Sequence, residues 1–182
     1  MDKYAFIENV PDLSADGYSE YFDDGEWISH IAGLNGMDKV MDYAKKLIAE
    51  GYSMINLCGD FGPEHVEELL KDAPEGTIVS YAKYLPEELA KLEALDKYTE
   101  YGQIIFSGSP EPVHKELSAP EMNTHTVFVN DLDQAKEAAI EFAKAGVDGI
   151  ELCSSFDLDM TKEVIKAVGS VDPSIPVGSN GL

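Results

Sequence analysis

Two cysteines stand at matching places in the chain, each closing a short apolar run ahead of a turn. Cys58 lies in Ile55-Asn56-Leu57-Cys58-Gly59-Asp60-Phe61-Gly62-Pro63, and Cys153 in Ile150-Glu151-Leu152-Cys153-Ser154-Ser155-Phe156-Asp157. A thiol just before a helix N-terminus ionises more readily than a free one, which makes Cys58 the candidate nucleophile. His30 or His65 would be its base. Glu151 shares a strand face with Cys153. A carboxyl turned into a core needs partners or a raised pKa, so Glu151 is the candidate acid or base. The glycine turn of Gly59, Asp60 and Gly62 offers backbone N–H groups at a helix start, a setting for phosphate or carboxylate. Asn56, His125 and Cys153 complete the expected ligand contacts. His30, His125 and the two cysteines are zinc-ligand types, but no C-x-x-C or H-x-x-x-H spacing supports them. The reading therefore includes no metal and no cofactor. Asp60-Phe61-Gly62 lacks the other kinase motifs and carries no such meaning.

These residues recur because the chain repeats. Ser29–Asp72 overlies Thr124–Ala167 without a gap at an offset of 95, with 11 identities in 44 positions. The pairs are His30/His125, Asn35/Asn130, Asp38/Asp133, Ala44/Ala139, Gly51/Gly146, Ile55/Ile150, Leu57/Leu152, Cys58/Cys153, Phe61/Phe156, Glu68/Glu163 and Lys71/Lys166. Helix starts, helix stops and strand centres stay in step, as a tandem duplication requires.

Hydrophobic periodicity supplies the elements. In the first copy, strands are expected at Tyr4–Ile7, Trp27–Leu34, Ser53–Cys58 and Thr77–Tyr81. A helix capped by Asn35 runs to Gly51, and another starts at Pro63 after Gly62. The second copy gives strands at Gln103–Phe106, Thr124–Val129, Gly149–Cys153 and Ile175–Gly178. Its helices follow Asn130 and Leu158. Residues 13–26 and 107–122, rich in turn residues, read as loops. A helix from Pro86 to about Tyr98 links the copies. The expected division is 1–84, a linker at 85–101, and 102–182. Each copy is ββαβαβ, and strand–helix alternation makes the strands mostly parallel. The fold class is α/β. It takes the form of either a small (β/α)8-like barrel or two α/β halves related by a pseudo-twofold.

The chain has 182 residues and a formal charge of −22, from 35 acids and 13 bases. That balance excludes the basic stripe of a nucleic-acid binder and opposes an anionic membrane surface. Met1–Pro11 lacks a basic region followed by an apolar stretch, and no apolar run suits a membrane span. A cytoplasmic protein with reduced thiols is expected, as a monomer or homodimer.

The first copy, with Ala5-Phe6-Ile7-Glu8-Asn9 and Leu57-Cys58-Gly59-Asp60-Phe61-Gly62-Pro63-Glu64, resembles a family of short uncharacterised bacterial α/β domains with an L-C-G-G-F-G-P-E signature. The second copy departs from it at Ser154, Ser155 and Asp157. The resemblance implies a folding unit that pairs, and no activity. Two functions follow as expectations. One is a small-molecule enzyme or binding protein with its site at strand C-terminal ends between the repeats. The other is a non-catalytic binding or assembly module in which duplication replaces a homodimer. The sequence does not say whether a bond is made or broken.

Overall fold

A computed structural model describes all 182 residues. The chain divides into two compact units, 1–81 with 119–121, and 82–118 with 122–182. The sequence reading placed the division at 84 and treated the Pro86 helix as a linker. In the structure that helix groups with the second unit.

Unit 1 holds β1 (Asp2–Asn9), β2 (Tyr18–Asp23), β3 (Trp27–Leu34), α1 (Met37–Ala49), β4 (Met54–Leu57), α2 (Pro63–Leu70) and β5 (Ile78–Tyr81). Its sheet runs β2-β3-β1-β4-β5, parallel throughout except for β2. Unit 2 holds α3 (Pro86–Glu93), β6 (Glu100–Phe106), β7 (Val113–Ser118), β8 (Asn123–Val129), α4 (Leu132–Ala145), β9 (Gly149–Leu152), α5 (Leu158–Gly169) and β10 (Val177–Ser179). Its sheet runs β7-β8-β6-β9-β10, again with only the first strand antiparallel. The two orders are the same, so the duplication is structural as well as sequential. Tyr4 pairs with Ser29 and Met54, and Tyr101 pairs with Thr124 and Gly149. Tyr101 is therefore the counterpart of Tyr4.

The α/β halves are as expected, and the closed eight-stranded barrel is not what forms. Each sheet is open and has an extra antiparallel edge strand where the sequence reading had loops. β2 and β7 are edge strands with weak patterns. In β2, Tyr18, Glu20 and Phe22 are half-buried while Ser19, Tyr21 and Asp23 are exposed. Period-2 alternation is present, but too few of the half-buried residues are aliphatic to stand out.

α1 packs on one face of the unit 1 sheet and α4 on one face of the unit 2 sheet. Val40, Met41, Ala44, Leu47 and Ile48 of α1 are buried, and His30 of β3 meets Tyr43 of α1. In unit 2 a Cβ at Gly102 would lie 2.9 Å from the Phe142 ring of α4. Strand alternation then puts Ala5, Ile7, His30, Ile55 and Leu57 on the α1 face of the unit 1 sheet, and Tyr4, Phe6, Ile31 and Asn56 on the opposite face. Likewise Tyr101, Gln103, Thr126 and Glu151 face away from α4.

The expected asparagine caps are displaced by one residue. The N-cap of α1 is Gly36, with φ 106, in place of Asn35, and the Gly36 N–H donates to Asn9 Oδ1. α4 is capped by Asp131, whose carboxylate takes Gln134 N–H at 2.9 Å. Pro63 opens α2 and Gly146 closes α4 in the left-handed region, both as their residue types require. No helix is long and apolar enough to cross a membrane.

Candidate functional site

The face of the unit 2 sheet turned away from α4 carries a row of polar groups on β8, β6 and β9. Thr126 of β8 pairs with Gln103 of β6, Gln103 with Glu151 of β9, and Glu151 with Gly178 of β10. Thr126, Gln103 and Glu151 are 2%, 0% and 3% exposed. A carboxyl buried this deeply needs donors, and two tyrosines supply them. Tyr84 O–H donates to Glu151 Oε1 at 2.6 Å, and Tyr101 O–H donates to Oε2. Glycines make room for the rings. A Cβ at Gly178 would fall 2.5 Å from the Tyr84 ring, and one at Gly149 would fall 2.7 Å from Tyr98. Thr126 O–H donates to Gln103 Oε1 at 2.9 Å, while Gln103 Nε2 has no hydrogen-bond partner.

Unit 1 has apolar groups along the equivalent row. Ile31 and Phe6 stand where Thr126 and Gln103 do, and Asn56 stands where Glu151 does. Asn56 is satisfied: Tyr4 O–H donates to its Oδ1 at 2.9 Å, and its Nδ2 donates to Ser80 Oγ at 2.9 Å. The buried acid here is Glu8, 1% exposed, which accepts from Tyr18 O–H at 2.9 Å across Gly33.

The signature turn proves to be a framework. Cys58 is buried, and its Sγ accepts Asn9 N–H at 3.4 Å. Cys153 accepts Phe106 N–H at the same distance. Neither cysteine forms a disulfide, and each buttresses the end of its central strand. Burial pushes the Cys153 thiol up, away from nucleophilicity. His30 does not meet Cys58. It aligns through Ala5 with Ile55 on the helix-covered face, whereas Cys58 follows Asn56 on the other. The second candidate base, His65, accepts Gly62 N–H on Nδ1 at 3.0 Å. That bond also closes the N-terminus of α2 on itself, and Glu64 Oε2 lies 2.7 Å from a Cβ position at Gly62. A carboxylate over the Gly59–Gly62 turn opposes an anion there. Asp60 accepts from Asn9 Nδ2 at 3.0 Å. Asn9 thus ties β1 to the turns after β3 and β4, a role sequence reading missed. The visible signal was its place in Ala5–Asn9.

The two aligned histidines lie in unlike surroundings. His30, fully buried, stacks on Tyr21 with centroids 4.0 Å apart and is flanked by Tyr43 and Tyr52. Burial, then the Lys46 charge, lowers its pKa to about 4, so it is a neutral ring at ordinary pH. His125 Nε2 is 2.7 Å from Glu100 Oε2, and Glu116 lies 3.8 Å from Nδ1. That histidine, with Asn123, holds the Glu100 carboxyl below its usual range. No group of three or more His, Cys, Asp or Glu side chains is arranged to hold a metal ion.

Fold and sites together define a tandemly duplicated α/β protein whose copies have diverged in their polar interiors. The chain belongs to the family of unknown function DUF6506, whose model matches it twice, over residues 2–97 and 100–180. No curated protein matches it. Among solved structures it is similar to a carbohydrate transporter from Acidothermus cellulolyticus 11B in complex with myo-inositol. The identity is 9%, the TM-score 0.31, and the coverage 97% of this chain and 73% of that one. At that score the likeness carries no argument about fold or function.

Proposed function

We propose that the chain binds a small, neutral, hydroxylated molecule at the Thr126–Gln103–Glu151 row of unit 2. One observation carries this reading: the fully buried Gln103 amide, its Nε2 without a partner, beside a buried carboxyl. A buried donor left unsatisfied costs about 1–3 kcal/mol. A ligand oxygen accepting from Nε2 removes that cost. Glu151, the next residue along the row, brings carboxyl oxygens that accept hydrogen bonds. A hydroxyl both accepts and donates, and so serves Gln103 and Glu151 at once. A phosphate or carboxylate ligand would bring only acceptors to a row that already holds the Gln103 and Glu151 oxygens.

The test is calorimetric titration with small polyols and hydroxyamides, set against phosphate and acetate. Saturable binding of a neutral compound, lost in Gln103→Leu, supports the reading. Binding of phosphate or acetate instead, or neutral binding that Gln103→Leu leaves unchanged, overturns it.

A second reading, a non-catalytic assembly module in which fusion replaces pairing of two copies, rests on α3. Residues 82–97 fall in the first family match and yet within unit 2.

A further inference from the structure

The edge strand β10 has only three residues, and its outward N–H groups are not left to water. Val177 N–H donates to Glu88 Oε2 at 2.9 Å. Ser179 N–H donates to Lys83 O, and Lys83 N–H donates to Ser179 O, both at 2.9 Å. Lys83 therefore makes a two-way antiparallel bridge to β10. One residue on, Tyr84 lies flat over Gly178 with its hydroxyl on Glu151. Glu88 is 2% exposed, and its second oxygen takes the Lys91 ammonium at 2.6 Å. An edge strand is a template for another chain segment. Here one segment saturates it by backbone, by carboxylate and by an aromatic ring on a glycine.

That segment is first-copy sequence, since the first family match runs to 97 while the compact unit changes after Tyr81. We propose that residues 82–97 are an exchanged arm, made with the first copy and completing the sheet of the second. The slot along β10 is thus a binding site for this peptide, and it accepts the same segment supplied in trans from another copy. The inference needs the slot and the arm, and stands whether or not the polar row holds a ligand.

The experiment uses the full chain with its own arm disabled by Lys83→Pro and Glu88→Ala. Hydrogen exchange of the Val177 and Ser179 amides is expected to accelerate at least tenfold, with β1 and β3 unchanged. A fluorescein-labelled peptide of residues 82–97 is expected to bind the double variant at least tenfold more tightly than wild type. Glu88→Gln keeps an acceptor for Val177 N–H and is expected to leave its exchange within threefold of wild type. Acceleration confined to β5 would return the arm to its own copy and overturn the proposal. So would native exchange at Val177 in the double variant, or failure of the peptide to bind a variant whose β6 and β8 amides stay protected.

Discussion

Replacing Gly178 by alanine adds one methyl group at the point where the arm, the sheet and Glu151 meet. The new Cβ would lie 2.5, 2.7 and 2.9 Å from three carbons of the Tyr84 ring. Real Cβ contacts do not come that close, so the ring must move. It cannot tilt without drawing its hydroxyl off Glu151 Oε1, now at 2.6 Å. Overpacking of this kind costs about 1–3 kcal/mol, and a buried hydrogen bond to a carboxyl about 1–3 kcal/mol more. The expected loss is about 2–6 kcal/mol. With a urea m-value of about 1–3 kcal/mol/M, the unfolding midpoint of unit 2 falls by on the order of 1–2 M. The single tryptophan, Trp27, lies in unit 1. The transition is therefore followed by exchange of the β9 amides as urea is raised. The decisive comparison is a double-mutant cycle. In a Tyr84→Ala background the three nearest obstacles to the new methyl are gone, and Gly178→Ala should cost less than about 0.5 kcal/mol. Equal costs in both backgrounds would show that Tyr84 does not rest on Gly178, and the reasoning about the row and the arm would fail with it.

Three further outcomes are expected. His30 has a pKa lowered from 6.5 to about 4. The unfolded chain therefore binds the extra proton first as pH falls. Stability is full above about pH 6.5 and declines toward pH 4, by about 3 kcal/mol in total at 1.36 kcal/mol per unit. His30→Phe should remove that part of the slope between pH 4.5 and 6.5 in urea titrations, and parallel curves would refute it. Asp131→Ala and Asp157→Ala each remove a helix-capping carboxylate, from Gln134 N–H and Met160 N–H respectively. Each should cost about 1 kcal/mol, and thermal melts unchanged from wild type would count against the caps. Cys58 and Cys153 are 7% and 2% exposed. Iodoacetamide should label both in urea and neither at a comparable rate in the native chain, whereas fast native labelling of Cys58 would restore it as a nucleophile.

Much of the frame was legible because it depends on local chemistry. The apolar runs at Ile55–Leu57 and Ile150–Leu152, Pro63 at a helix start and Gly146 at a helix end each express a preference that nothing distant overrides. β2 and β7 were not legible, since an edge strand buries one half-polar face and its alternation is weak. The site was legible in part. Alternation placed Asn56 and Glu151 on one kind of face, and the cost of a buried carboxyl flagged Glu151. Its partners were hidden. Tyr84 lies 67 positions away, and its ring needs Gly178, which only the strand order brings alongside. Gln103 looked like the first residue of a strand. Its importance appears once β6 is laid over β1, two residues out of step with the rest of the repeat.

The two copies also show which residues the duplication held fixed. Ile55/Ile150, Leu57/Leu152, Cys58/Cys153 and Phe61/Phe156 are the same in both, and the cysteines make the same contact, an Sγ accepting the amide at the end of the central strand. At these positions identity between the copies marks a shared part of the frame. The positions that changed are the ones that make each interior different. Phe6, Ile31, Asn56 and Ser80 in one copy are Gln103, Thr126, Glu151 and Gly178 in the other. Asn9, which braces the strand ends of unit 1 with polar bonds, is Phe106 in unit 2, stacked on Phe156 with centroids 4.3 Å apart. Unit 2 thus has an aromatic stack at its strand ends and its buried polar groups in mid-sheet. In the repeat motif the cysteines hold the ends of the central strands, and positions that differ between the copies carry the buried polar groups of unit 2.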